Sequence, residues 1–283
     1  MKKIVALMLS LLMVFSMSTA LADDGLYFTY AKIVTPFSED GYASFLALNG
    51  MYGFVNTNGD VVIPPIYNSV DDFINGQAKV YDHNWNSFTI DTSGAVVTEP
   101  VSVEAANSND DQNEIEAIFK IENERLYCNG LLVDKDSWTS LSDIAKVENT
   151  DSLWHFSRRT YIAGTYVYKD MLYDSATHKV LLRNMESITP VMSDGLIAVH
   201  KNGVGFYVDG QGAMKIGPAG TQVFTFSEGF ARVKVNDSYF YINTNGDIVS
   251  GLYDAATDMV GGFACVKQDG QWFVINNQFR RVK

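Results

Sequence analysis

The reactive side chains of this sequence are four histidines, two cysteines and a surplus of carboxylates, and their spacing restricts what they can do. His83, His155, His178 and His200 stand singly, and Cys128 and Cys265 are far apart in sequence, so nothing has the close pairing of a zinc site. No Gly-x-Ser-x-Gly elbow, phosphate-binding Gly-Lys-Ser/Thr loop or dinucleotide fingerprint is present. Adjacent acids such as Asp71 and Asp72 point to opposite faces of a strand, so they do not form the facing pair that glycoside hydrolysis needs. The string Asn-Thr-Asn-Gly-Asp at 56–60 and 243–247 is rich in oxygen, as calcium loops are. It lacks the further carboxylates and the distal acid of such loops, and its Asn-Gly pair reads instead as a tight hairpin turn. The acidic stretch 107–114 reads as a solvated loop with at most weak affinity for a divalent cation. No catalytic residue, metal ligand or cofactor is expected.

One segment does concentrate the chemistry of recognition. It holds Trp138, Trp154, His155, Arg158, Arg159 and Tyr161, in a chain of formal net charge −12. Aromatic rings beside guanidinium groups suit an acidic glycan or an acidic protein surface, through stacking and charge-assisted hydrogen bonds. The competing reading packs both tryptophans in a core and pairs the arginines with Asp143, Glu148 or Asp151.

These residues need a scaffold, and the composition says of what kind. A chain of 283 residues, 47% apolar and 19% charged, can bury a substantial core, which excludes disorder. With 33 acidic against 21 basic side chains it is poorly suited to a phosphate backbone, so nucleic acid is not an expected partner. Lys2 and Lys3 precede an apolar run from Ile4 to Phe15, then Ala20-Leu21-Ala22 before Asp23. That is the pattern of a secretory signal over 1–22, cleaved near Ala22, and it leaves 23–283 as one exported domain. The run is short for a membrane span, and no later segment is apolar enough to be one.

The remainder is repetitive. Phe226-Ser-Glu-Gly-Phe-Ala and Phe37-Ser-Glu-Asp-Gly-Tyr-Ala open two copies of one plan, and further copies begin near 73, 192 and 259. The leading glycines are Gly41, Gly76, Gly195, Gly229 and Gly262; the turn positions are Gly59, Gly94, Gly212, Gly246 and Phe279. Both markers give a period of 33–35 residues, clear over 37–97 and 192–282. Weaker copies with turns at Gly130 and Thr177 fill the gap over 98–191, making seven units, with one step swollen to 47, which reads as a loop departing from the regular scaffold. Within a unit, Ala231-Arg-Val-Lys-Val235 alternates apolar and charged residues like a half-buried strand, Tyr239–Ile242 gives a second strand, and Asn245-Gly246 turns the chain back. His200 occupies the slot of Lys234 and Lys267 and so reads as an outward strand residue.

On these motifs the chain resembles the WG-repeat family. Its Trp-Gly dyad survives only approximately: Tyr52-Gly53 is closest, Trp272 keeps the Trp, and Phe88, Phe206, Phe240 and Phe273 fill the Gly slot. The resemblance implies a repeat scaffold typical of secreted and envelope proteins of bacteria, and it brings no catalytic residues with it.

The expected fold is therefore all-β: about seven hairpin units in a propeller-like arrangement, with a β-solenoid as the alternative. Residues 26–34 are expected to add a strand to the hairpin at 271–282 and so cover an exposed sheet edge. Cys128 and Cys265 fall at different positions of their repeats and are expected to remain unbonded. The expected function is that of a non-enzymatic scaffold for an envelope protein or glycan. An extracellular polysaccharide hydrolase is the alternative, and two carboxylates converging in one cleft would favour it.

Overall fold

The computed structural model describes residues 24–97, 108–134, 137–138, 141, 143–162 and 165–282. The expected leader, residues 1–22, lies outside them. The chain divides into two compact units, one made of residues up to 101 with Phe263–Lys283, the other of Ser102–Gly262.

The first unit holds a four-stranded sheet (Ile33–Val34, Tyr42–Leu46, Tyr52–Asn56, Val61–Tyr67), a three-stranded sheet (Ser69–Val70, Gln77–Tyr81, Ser87–Asp91) and a hairpin (Phe263–Gln268, Gln271–Asn276). The second unit holds a third sheet (Phe119–Glu122, Arg125–Cys128, Leu131–Asp134) and a fourth (Ile144–Lys146, Leu153–Ile162, Thr165–Asp174, Lys179–Met185). A fifth (Ser187–Ile188, Ile197–Lys201, Val204–Val208, Met214–Gly220) and a sixth (Gln222–Val223, Phe230–Val235, Ser238–Asn243) follow. Six sheets and a hairpin among the described residues match the seven repeats. Within each sheet sequential strands pair antiparallel, the meander of a propeller blade.

Period-two patterning fixes the inner face. In Gln77–Tyr81 the side chains of Ala78 and Val80 are buried and Lys79 is exposed; in Phe230–Val235, Ala231 and Val233 are buried. Aromatic rings fill the space between the first two sheets, with Phe73 edge-on to Phe54 at 4.7 Å and tilted against Tyr42 at 4.9 Å.

The turn motif explains itself in hydrogen bonds. Asn56 Oδ1 accepts the amide protons of Asn58 and Asp60, both at 3.0 Å, and Asn243 Oδ1 accepts those of Asn245 and Asp247 at 3.0 and 2.9 Å. Asp91 and Asp209 act likewise. The leading side-chain oxygen that a calcium loop would direct at an ion is thus spent on its own backbone. The left-handed residue of the turn is glycine in the strong repeats, as at Gly59 with φ 80°, and Phe279 adopts φ 59° in that slot.

A second set of contacts links one repeat to the next. Asp40 Oδ2 accepts the Gly76 amide at 2.9 Å, and Asp194 Oδ2 accepts the Gly229 amide at 2.9 Å. Glu228 takes two, from Gly261 at 2.6 Å and Gly262 at 2.8 Å. The acid of each of these leading segments therefore completes the leading turn of the following repeat, which accounts for an acid beside that glycine.

Three expectations are corrected. Residues 26–34 do not pair with the last hairpin. Asp24–Thr29 is a helix that buries Phe28 edge-on to Phe45 at 6.0 Å, and Ile33–Val34 pairs with Leu46 and Phe45 of the first sheet. The segment still reaches the hairpin through side chains, with Trp272 Nε1 donating to the Ala31 carbonyl at 3.1 Å and Gln271 Nε2 to the Tyr30 hydroxyl at 3.0 Å. The acidic stretch is no loop either. Ser108–Ile118 is a helix, because Ile115 and Ile118 give it an apolar side to pack on the core of the third and fourth sheets, and its Glu114 pairs with Lys146 at 2.8 Å. The swollen step is not an irregular loop but a hairpin of two ten-residue strands, Leu153–Ile162 and Thr165–Asp174, whose ten backbone pairs run in continuous register.

Candidate functional site

That long hairpin carries most of the recognition residues. Register pairs Trp154 with Tyr173, His155 with Leu172, Ser157 with Asp170 and Arg158 with Lys169. Alternation along Leu153–Ile162 sends Trp154 and Phe156 into the core between the third and fourth sheets. There Phe119 meets Trp154 edge-on at 5.0 Å, and Trp138 meets Phe156 at 5.8 Å. Trp138 is 5% exposed and Trp154 1%, so neither forms a stacking platform at the surface. Their indole protons are used internally, by Asp134 Oδ2 at 3.2 Å and Ser175 Oγ at 3.1 Å. His155 is half-buried. Arg159 and Tyr161 pair through their backbones with Tyr168 and Tyr166, and their side chains lie outside the described residues.

Arg158 does reach a small cleft, together with Asp134, Trp138, Lys169, Asp170 and Arg183. Two buried carboxylates make its floor. Asp170 accepts three donors: His155 Nε2 at 2.8 Å, Ser157 Oγ at 2.8 Å and the Ile188 amide at 2.9 Å. Because a carboxylate only accepts, His155 carries its proton on Nε2 here. Asp134 accepts the Arg183 guanidinium at 2.7 Å besides the Trp138 indole. Both acids staple neighbouring sheets, Asp170 joining the fourth to the fifth and Asp134 the third to the fourth. Buried charges persist only when paired and hydrogen-bonded in this way.

The cleft thus brings two carboxylates together, the arrangement named above for hydrolysis, but their lone pairs face donors from the chain itself. Ser157 and His155 both bond Asp170 rather than each other, so no activated nucleophile results. What the cleft presents to a ligand is the cationic rim of Arg158, Lys169 and Arg183, of which Arg183 has a side chain 42% exposed. Of the cleft's residues, sequence reasoning finds Arg158, Trp138 and His155 and misses Asp134, Lys169, Asp170 and Arg183. The available signal is Asp170, a charge at an inward strand position next to Met171 and Leu172.

His200 is half-buried, as Lys234 and Lys267 are in its slot, but it is not a simple outward residue, because its ring bridges two sheets. Its Nε2 accepts the Val223 amide at 3.0 Å, and its Nδ1 bonds Ser187 Oγ at 3.0 Å. Cys128 and Cys265 are buried and are not joined in a disulfide. Among the described residues no three His, Cys, Asp or Glu side chains cluster to hold a metal ion, and no helix is long and apolar enough to cross a membrane.

Small antiparallel meanders at a fixed period, with Asx turns and acid-to-glycine links between repeats, define an all-β repeat scaffold. The family model of the WG containing repeat matches at residues 52–81, 206–239 and 239–272, which identifies these segments as WG-containing repeats. No curated protein matches. Among solved structures, BamB from Moraxella catarrhalis is similar over 85% of this chain and 81% of its own, at 13% identity and a TM-score of 0.33. KlAtg21, from its complex with the coiled coil of AgAtg16, is similar over 88% of this chain and 94% of its own, at 9% identity and a TM-score of 0.41. Neither superposition is close enough to carry an argument about this chain.

Proposed function

We propose that this protein is an exported, non-enzymatic scaffold that binds an acidic partner, a glycan or a protein of the cell envelope, through the rim of the cleft in its second unit. The observation that supports this is the division of labour inside the cleft. Asp134 and Asp170 are held by Trp138, His155, Ser157, Ile188 and Arg183, whereas Arg158 and Lys169 lie on the rim with Arg183. Guanidinium and ammonium groups over a buried floor whose carboxylates already accept hydrogen bonds from the chain favour carboxylate or sulfate groups on a ligand. The N-terminal pattern Lys2-Lys3, apolar run and Ala20-Leu21-Ala22 supports export.

The test is retention of the purified chain on immobilised polygalacturonate, and on a polyglutamate column as the protein-like counterpart, across a salt gradient. The double variant Arg158→Ala, Lys169→Ala elutes at clearly lower salt while its circular dichroism is unchanged. Equal elution of a folded double variant removes the cleft from the reading. Polysaccharide hydrolysis is the second reading, because Asp134 and Asp170 line one cleft. Release of reducing ends by the wild type but not by Asp170→Asn would establish it.

A further inference from the structure

Of the four tryptophans in the chain, Trp138, Trp154 and Trp272 are 5%, 1% and 6% exposed, whereas Trp85 is 66% exposed. Trp85 lies at the tip of the hairpin joining Gln77–Tyr81 to Ser87–Asp91 in the first unit. Its backbone is fixed. Asp82 Oδ1 accepts the amides of Asn84 at 2.8 Å and Asn86 at 2.9 Å, Asp82 Oδ2 accepts from Asn86 Nδ2 at 3.1 Å, and the Asp82 carbonyl accepts the Trp85 amide at 2.9 Å.

The conformation is unusual for such a residue. Trp85 has φ 62°, a left-handed value that bulky side chains avoid. In the first repeat the same slot, closed by the same type of amide-to-carbonyl bond from Gly50 to Ala47, is filled by glycine at φ 82°. The second repeat therefore gives up backbone ease at a position where an indole buries little surface, a break in local consistency that folding does not explain.

The surroundings point to the ligand. Tyr81 stands beside Trp85 with ring centroids 6.3 Å apart and planes inclined by 57°, which makes an angled corner rather than a stack. Lys79 Nζ covers the Tyr81 ring at 5.4 Å. The residues flanking Trp85 on the turn, His83, Asn84 and Asn86, are all polar and exposed. An apolar protein hot spot is rimmed so that water is excluded, whereas this ring is exposed on a turn of residues that exchange hydrogen bonds with hydroxyls. A flat, exposed indole on a fixed turn whose neighbours in sequence carry amide and imidazole groups suits a pyranose ring, whose C–H face is apolar and whose rim is hydroxylated. Preorganisation of the turn removes much of the ordering cost of binding.

We infer that Trp85, with Tyr81 as its side wall and Asn84 and His83 at its edge, is a stacking subsite for a pyranose unit of a glycan. The site lies in the other unit from the cationic cleft and is tested separately from it. Cello-hexaose, the hexamer of N-acetylglucosamine and hexagalacturonate are titrated into the full chain, reading protection of tryptophan fluorescence from acrylamide quenching. At least one oligosaccharide protects the wild type, and isothermal titration calorimetry with that sugar, which needs no fluorophore, shows Trp85→Ala weakening binding by about tenfold or more and Trp85→Phe retaining part of the affinity. Because the other three tryptophans are buried, the quenching signal reports on Trp85 even if the cleft variant Arg158→Ala, Lys169→Ala has lost its own ligand. Absence of protection by all three sugars, or unchanged affinity in a folded Trp85→Ala protein, overturns the inference.

Discussion

His200 in the fifth sheet accepts the amide proton of Val223 in the sixth, Nε2 to N 3.0 Å, and so serves as an inter-sheet hydrogen bond that exists only while that nitrogen is unprotonated. Burial holds its pKa below the ordinary imidazole value, partly offset by the Glu186 carboxylate. The unfolded chain therefore takes up the proton first. The stabilisation is complete above the unfolded pKa of about 6.5 and is lost as pH falls through the lower folded value. Calorimetric melting between pH 7.5 and 5 should show a steeper fall for the wild type than for His200→Gln, by about 2 °C or more. Parallel curves would remove His200 from the pH response.

Glu228→Ala deletes both links to Gly261 and Gly262. These are charge-assisted but solvent-exposed bonds, so the expected loss is about 1 kcal/mol. Urea unfolding should resolve it, with Asp237→Ala as a control outside the links. A loss no larger than the control's would mean that the links orient the turn without stabilising it.

Gly53, the glycine of the Tyr-Gly dyad, lies against the backbone of the returning strand. A Cβ there would meet the Ile63 carbonyl oxygen at 2.6 Å and Pro64 C at 2.9 Å. Backbone atoms cannot swing aside as a side chain can, so Gly53→Ala should cost about 2 kcal/mol or more, measured by thermal or urea melting. Gly251→Ala has open space and should stay within about 0.5 kcal/mol of wild type.

Both thiols are buried and both have their ionisation pushed up, by burial first in each case. A thiol reagent such as dithionitrobenzoate should find almost no reactive group in the native protein and two equivalents in urea. Rapid labelling without denaturant would place one of them at the surface.

The repeat is legible because its signals are local. Asn or Asp three residues before glycine makes an Asx turn whatever surrounds it, and the alternation at Ala231–Val235 reports one buried face. The candidate site is harder to read because its meaning depends on which face of a degenerate strand is inward. Trp154 and Arg158 are even-numbered positions on one strand, yet one is core and the other rim. That distinction comes from where the third sheet covers the hairpin, which spacing cannot reveal. Asp134 and Arg183 are 49 residues apart and meet only because consecutive sheets stack. Trp85 gives no signal of its own, since its turn is read from Asp and Asn residues and the exposure of an indole leaves no mark in the sequence.

The bonds from Asp40 to Gly76, Asp194 to Gly229 and Glu228 to Gly261 and Gly262 all span one period, acid in one repeat and glycine in the next. Duplicating a full period regenerates one acid and one glycine in the correct order and leaves neither without its counterpart. Cutting or inserting a fraction of a period strands both. A change by whole repeats therefore keeps every such link paired, while the surface carried by any one copy, such as the Trp85 turn, is free to differ from its neighbours without disturbing them.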